Sequence, residues 1–247
     1  MKKIIAIMMV LAVILTAFAG CKPADNGKEK LIMATNAEFP PYEFKEDGKI
    51  VGIDAEIAGK IAEKLGMELE IMDIEFGSII PAVTSGKANF AAAGMTVDEE
   101  RKLSVDFTDS YATGVQVIIV KEDSTIAAPA DLAGKKIGVQ QSTTGDIYCT
   151  DEFGEESMSR FDKGALAVQA LTTDKVEAVV IDNEPAKEYV KANAGLKILP
   201  TEYATEDYAM AVNKGDTEMF EKINGALKEL IADGTVKQII DKYISAD

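Results

Sequence analysis

Ile53-Asp54-Ala55-Glu56-Ile57-Ala58-Gly59-Lys60-Ile61-Ala62-Glu63-Lys64-Leu65-Gly66 decides how this chain is read. Ile53, Ile57, Ile61 and Leu65 recur every four residues, which predicts a helix with one apolar stripe turned to a core and Gly66 closing it. On either side lie strand-like runs, Leu31 to Thr35 before and Met67 to Met72 after. Ser78 to Ser85 reads as a further helix, in which Pro81 is tolerable only near the first turn. Phe90 to Ala93 reads as a short buried strand and Asp98 to Leu103 as one or two helical turns. A β-α-β-α-β rhythm implies a parallel sheet with right-handed crossovers.

The same rhythm returns after the β-branched run Val115 to Val120. Strands are predicted at Lys135 to Val139, Met158 to Phe161 and Val176 to Ile181, and helices at Thr144 to Glu152, Ala165 to Leu171 and Glu184 to Ala192. One more strand, Tyr208 to Val212, precedes helices at Thr217 to Ile231 and Thr235 to Tyr243. Between the two units there is no Gly/Ser-rich linker, so lobes joined by extended strands are expected, near Tyr111 to Val115 and Glu206 to Met210.

Composition narrows the function. The 247 residues carry 26 Lys and Arg against 42 Asp and Glu, a net charge of −16, which disfavours a nucleic-acid or anionic-lipid surface. There is no histidine, which removes Ser-His-Asp and Cys-His catalysis and histidine-ligated zinc. Two cysteines, Cys21 and Cys149, are too few for a four-thiolate metal site. Neither a metal nor a cofactor is expected.

Lys2 and Lys3 precede an apolar run from Ile4 to Leu15, followed by small residues up to Cys21. A positive start, a short apolar run and small residues form an export signal over residues 1–20, too short for a spanning helix. Ala19-Gly20-Cys21 resembles the lipobox of bacterial lipoproteins, with Phe18 where leucine is usual; Cys21 is therefore the expected lipidation site. Residues 21–30, polar and holding Pro23 and Gly27, suit a flexible tether. Cys149 is then left without a partner and reads as a small buried residue.

Three places suit recognition of a small zwitterion. Gly94-Met95-Thr96 with Arg101 lies at the carboxyl end of a predicted strand, where ligands of open sheets bind, and arginine matches a carboxylate in two-pronged fashion; an exposed ion pair with Glu99 or Asp106 is the plainer reading of Arg101. Gln140-Gln141-Ser142-Thr143-Thr144-Gly145-Asp146 opens a helix, whose N-terminal amides attract an anion, and its plainer reading is a side-chain cap by Thr143 or Thr144. Asp182 ends the apolar run Val179-Val180-Ile181, placed either to accept from an ammonium or to cap the next helix. Phe39, Tyr42 and Phe76 stand in turn-like contexts and suit apolar walls.

Thr35-Asn36-Ala37-Glu38-Phe39-Pro40-Pro41-Tyr42-Glu43-Phe44, Val51-Gly52-Ile53-Asp54-Ala55-Glu56, Phe76-Gly77-Ser78-Ile79-Ile80-Pro81-Ala82-Val83, Gly94-Met95-Thr96 with Glu100-Arg101, Val105 to Tyr111 and Asp131 to Lys136 resemble the polar amino-acid solute-binding proteins of ABC importers, from about Leu31 to the C-terminus. The resemblance implies an α/β fold of two lobes in the manner of periplasmic binding proteins. Each lobe would be a mostly parallel sheet flanked by helices, with residues 30–110 and 211–247 forming lobe 1, residues 115–206 lobe 2, and two crossover strands as hinge. It implies that Arg101, Thr96 and the amides at Thr143 hold a ligand carboxylate, and that Gly94, Thr96 and Asp182 hold its ammonium. Phe39 and Phe76 would sandwich the ligand side chain, while Asn36, Asp54, Gln140 and Thr144 tune its choice. Asn36, Ser142 and Glu56 depart from a common acid, glycine and aspartate.

The function so implied is a monomeric, lipid-anchored receptor on the outer face of the cytoplasmic membrane. It would capture a polar or cationic L-amino acid, such as glutamine or arginine, by closing its cleft and deliver it to an ABC permease. Secreted relatives on the same fold that dehydrate cyclohexadienyl acids such as arogenate give an enzymatic alternative, though no residue here stands out as a general acid. A sensory ligand-binding module is the third reading.

Overall fold

The computed structural model describes residues 28–244. The expected export signal, Cys21 and the tether up to residue 27 lie outside the described residues. Among the described residues no helix is long and apolar enough to cross a membrane.

The chain begins with β1 (Lys30–Thr35), β2 (Glu38–Phe39), β3 (Glu43–Glu46), β4 (Lys49–Val51), α1 (Ile53–Leu65), β5 (Glu68–Asp73), α2 (Ile79–Thr84), β6 (Phe90–Ala91) and β7 (Val105–Phe107), with 3₁₀ turns at Phe76–Ser78 and Arg101–Leu103. It crosses once and forms β8 (Ala112–Lys121), β9 (Ile137–Gln140), α3 (Thr144–Phe153), β10 (Met158–Phe161), α4 (Gly164–Thr172), β11 (Ala178–Asp182), α5 (Asn183–Ala192), β12 (Leu196–Ile198) and β13 (Ala204–Tyr208). It then returns as β14 (Ala211–Asn213), α6 (Thr217–Ala232) and α7 (Thr235–Tyr243). Lobe 1 is built on a sheet of order β5-β1-β6-β14-β7, and lobe 2 on β10-β9-β11-β8-β12 with β13 also on β8.

The stripe of α1 does what its spacing predicts. Ile53, Ile57 and Ile61 are fully buried, and the helix stops at Gly66 in the left-handed conformation. The helix packs against α6 and α7, whose Ile223, Leu227, Val236 and Ile239 are also buried. At about 1.5 to 3 kcal/mol per buried isoleucine or leucine, these side chains dominate the cohesion of this side of lobe 1. Strand β1 is covered on both faces: Leu31 and Met33 join the cluster under α1, Ala34 the one under α2. Double-faced burial explains why the strand reads as a continuous apolar run.

Two expectations change. The sheets are mixed rather than mostly parallel: β1–β5, β1–β6, β9–β10 and β9–β11 are parallel, while every pair made by β8 or β14 is antiparallel. These two strands enter from the other lobe rather than through a crossover helix, so the βαβ rule does not set their direction. The strand expected over Tyr208 to Val212 is two strands, β13 in one sheet and β14 in the other, separated by the fully buried Ala209 and Met210. Tyr208 pairs with Ala112 and Glu206 with Gly114, so the two connections between lobes run side by side as an antiparallel ribbon.

Candidate functional site

Where the lobes meet, a narrow cavity is lined by Asn36, Phe39, Glu43, Phe76, Ala93, Gly94, Thr96 and Arg101 from lobe 1, and by Gln140, Thr143, Thr144 and Asp182 from lobe 2. Direct bonds across it, Arg101 Nη2 to Ser142 O at 3.2 Å, Gln140 Nε2 to Asn36 Oδ1 at 3.0 Å and Lys163 Nζ to Glu38 Oε1 at 2.6 Å, show the lobes drawn together.

In lobe 1 the chain leaves β6 through Ala92 and Ala93 and turns at Gly94. This residue has φ +49°, and a Cβ there would stand 2.7 Å from Phe39 Cε1, so only glycine fits. Its N–H donates to Asp54 Oδ2 at 2.8 Å. Arg101, on the following 3₁₀ turn, is buried; Nη1 donates to Thr96 O at 2.8 Å and Nε pairs with Asp98 at 2.9 Å. The plainer reading of an exposed arginine pairing with Glu99 or Asp106 therefore fails. One N–H on each terminal nitrogen is used, to Thr96 O and Ser142 O, and Nε is ion-paired, leaving one N–H on each terminal nitrogen to meet an anion. Its guanidinium lies 5.4 Å from the centre of the Phe76 ring. Burial lowers the Arg101 pKa, against the pull of Asp98, and the group stays cationic.

In lobe 2 the helix α3 has no side-chain cap. Thr143 Oγ1 donates back to Gln140 O at 2.8 Å and Thr144 Oγ1 to Glu206 Oε2 at 3.0 Å, so neither hydroxyl caps the first turn. Thr143 and Thr144, which open the helix, line the cavity, with the Thr143 N–H held only by a long 3.4 Å bond to Gln140 O, so this end can attract an anion. Ser142, where glycine is common, takes φ +66°, a conformation glycine adopts freely. Its N–H donates to Asp146 Oδ2 at 3.0 Å. Asp182 does not cap α5 either; its carboxylate turns into the cavity and accepts from the Tyr208 hydroxyl. Burial pushes Asp182 up to about 7, against that hydrogen bond.

The remaining expected residues divide. Phe39 and Phe76 both line the cavity, and Phe39 stacks on Tyr42 at 5.8 Å. Asn36 and Gln140 meet across it, with Asn36 Nδ2 held by Ile74 O at 2.9 Å. Asp54 is corrected: it does not line the cavity but lies fully buried behind it, bonding Gly94 N and the Tyr111 hydroxyl, because the first turn of α1 points it inward. Thr144 is also moved, since its hydroxyl joins Thr96 and Glu206 rather than Asn36 and Gln140. Glu56 sits away from the cavity, tying α1 to Lys242 and Tyr243. Cys149 is buried and unpaired, its thiol pushed up to about 12 by burial, as a core residue should be.

One lining residue escaped the sequence reading. Glu43 is fully buried opposite Phe39 in the β2–β3 hairpin; among the described residues no N–H or hydroxyl donates to its oxygens, and its carboxyl shares a hydrogen bond with that of Asp54. Burial, then the charge of Asp54, pushes Glu43 far above the usual carboxylate range; burial alone raises Asp54 to about 6. Two buried carboxyls bonded to each other, with no N–H or hydroxyl on Glu43, are costly to ionise and mark a place for a cation.

The sequence pattern of the bacterial extracellular solute-binding proteins, family 3, matches residues 31–246. The chain belongs to this family. It is 34% identical to the arginine-binding extracellular protein ArtP of Bacillus subtilis over 98% of both chains. Among solved structures, the arginine-, lysine-, histidine-binding protein ArtJ of Geobacillus stearothermophilus is 33% identical with a TM-score of 0.83, covering 89% of this chain and 96% of that one. An ancestral arginine-binding protein bound to glutamine is 42% identical with a TM-score of 0.84, covering 89% and 99%. The family is extracytoplasmic and its members bind solutes; the relatives are binding proteins of amino-acid transport, which sets the dehydratase alternative aside.

Proposed function

We propose that this chain captures a cationic L-amino acid, arginine first, outside the cytoplasmic membrane and presents it to an ABC permease, with Cys21 as the lipid anchor. Arg101 and the amides at Thr143 take the α-carboxylate; Gly94, Thr96 and Asp182 take the α-ammonium; Phe39 and Phe76 flank the side chain. Closure is favoured because such a ligand touches both lobes at once, turning about the paired strands near 111–115 and 206–210.

The observation that carries the choice of a cation is Glu43, a buried carboxyl beside the aromatic Phe39 whose partner is a second acid, Asp54, and not an N–H or hydroxyl. Charge balance supports it. Glu43, Asp54, Asp182 and Glu206 are four buried carboxyl groups in or against the cavity, facing one buried guanidinium, Arg101. A cationic side chain favours the ionised form of such buried carboxyls, which a neutral amino acid does not. ArtP, an arginine-binding protein, and ArtJ, an arginine-, lysine-, histidine-binding protein, point the same way, and the glutamine bound by the ancestral relative keeps a neutral polar ligand as the second reading.

The test is a thermal-shift screen of the twenty amino acids on protein starting after the tether. A ligand at 100 times its Kd adds about 2.7 kcal/mol of stability. Arginine is expected to give the largest shift, followed by the other cations. Glutamine ahead of arginine would replace the first reading by the second.

A further inference from the structure

Glu206 has no part in the binding scheme above, yet it is 5% exposed and sits at the junction of both lobes and the crossover ribbon. Its Oε2 accepts from Thr96 Oγ1 of lobe 1 at 3.0 Å, from Thr144 Oγ1 of lobe 2 at 3.0 Å and from Gln116 Nε2 of β8 at 3.1 Å. A threonine hydroxyl owns one proton. With both protons committed to Glu206, the two hydroxyls, 3.4 Å apart, have only lone pairs to offer a third group, and one of those on Thr144 already accepts from Gln116 Nε2 at 3.3 Å. Two residues on, Tyr208 shares the inward face of β13, and its hydroxyl spends its own proton on Asp182. Glu206 and Asp182 thus leave the hydroxyls of Thr96, Thr144 and Tyr208 as acceptors.

We infer that Glu206 is the positioning residue of the ammonium subsite: by taking the protons of Thr96 and Thr144 it makes both hydroxyls accept from a ligand N–H and turns them against a carboxylate. This rests on the reading of the ligand as an α-amino acid and assigns Thr96 to the ammonium alone, not to both ends. The carboxylate of Glu206 also adds negative charge where an ammonium docks. Glutamine in its place removes that charge and offers Thr96 or Thr144 an N–H, which frees a hydroxyl proton and competes with the ammonium for lone pairs.

The experiment uses Glu206→Gln and three guanidinium ligands: arginine, agmatine, which lacks the carboxylate, and 5-guanidinopentanoate, which lacks the ammonium. Affinities come from calorimetry, or from thermal shift at millimolar ligand for weak binders. Arginine and agmatine should each lose about tenfold, since one charged hydrogen bond is worth roughly 1.5 to 3 kcal/mol. 5-Guanidinopentanoate should stay within about twofold or bind tighter, because an anion facing Arg101 has gone. An equal loss for all three would mean a merely structural role, and no loss for any would mean no role; either overturns the inference. Thr144→Val, which removes one of the two hydroxyls, is the second variant should Glu206→Gln not fold, with the same selective pattern expected and the same contrary outcomes. If wild-type protein bound arginine no better than 5-guanidinopentanoate, the ammonium subsite itself would be wrong, a failure distinct from that of Glu206.

Discussion

At one end of the cavity Arg101 is fixed by Thr96 O, Ser142 O and Asp98, Asp182 by Tyr208, and Thr96 and Thr144 by Glu206. Beside Phe39, by contrast, no N–H or hydroxyl donates to Glu43, and its one hydrogen-bond partner, Asp54, is another acid. The first arrangement is ordered in advance, so that little is lost in orienting it when a ligand arrives, and it reads what all α-amino acids share. The second holds two buried carboxyls, Glu43 kept toward its neutral form by burial and by Asp54, that ionise readily only beside a cation, and it reads the side chain. Affinity and choice are thereby assigned to different groups.

The largest effect that would break this division comes from Arg101→Ala. Losing two charged hydrogen bonds to the carboxylate should weaken every amino acid by at least about a hundredfold in calorimetry. Retained arginine binding within tenfold of wild type would show that Arg101 does not hold the shared end.

A smaller effect follows from pH. Asp182 stands at about 7 and Asp54 at about 6, both raised by burial above the roughly 3.9 of an unfolded aspartate. A carboxyl group raised on folding favours the folded state when protonated, and that contribution is lost as pH climbs from about 4 through the folded value. The ligand-free protein should therefore melt lower at pH 8 than at pH 5. Arginine needs Asp182 ionised, so its affinity should fall about tenfold from pH 8 to pH 6. A ligand-induced shift that stays flat across this range would contradict the pairing of Asp182 with the ammonium.

Helices were the legible part of the fold. Isoleucines every fourth residue place α1, and α3 to α7 fall within a residue or two of where apolar spacing puts them. The hairpin sheet β2–β3–β4 was not legible: its strands are two to four residues long and surround a turn-rich stretch with Pro40 and Pro41, too short for a period to show. Arg101, Thr143 and Asp182 could be singled out because each follows a strand, and the closed lobes bring all three to one cavity. Glu43 and Glu206 could not. In Glu43-Phe44-Lys45-Glu46 alternation favours Phe44 as the inward residue, whereas the structure buries Glu43 fully and leaves Phe44 half-buried against Tyr243 at 6.4 Å. Glu206 lies among Thr205 and Asp207, and only the pairing of β13 with β8 reveals which of the three faces inward.

The division of labour is tested most directly by comparing arginine with citrulline, its uncharged near-isostere, on wild-type protein and on Glu43→Gln by calorimetry. Wild type should prefer arginine by at least about tenfold, and the variant should reduce that preference to under about threefold while citrulline binding holds. A preference for arginine that survives Glu43→Gln intact would contradict the account.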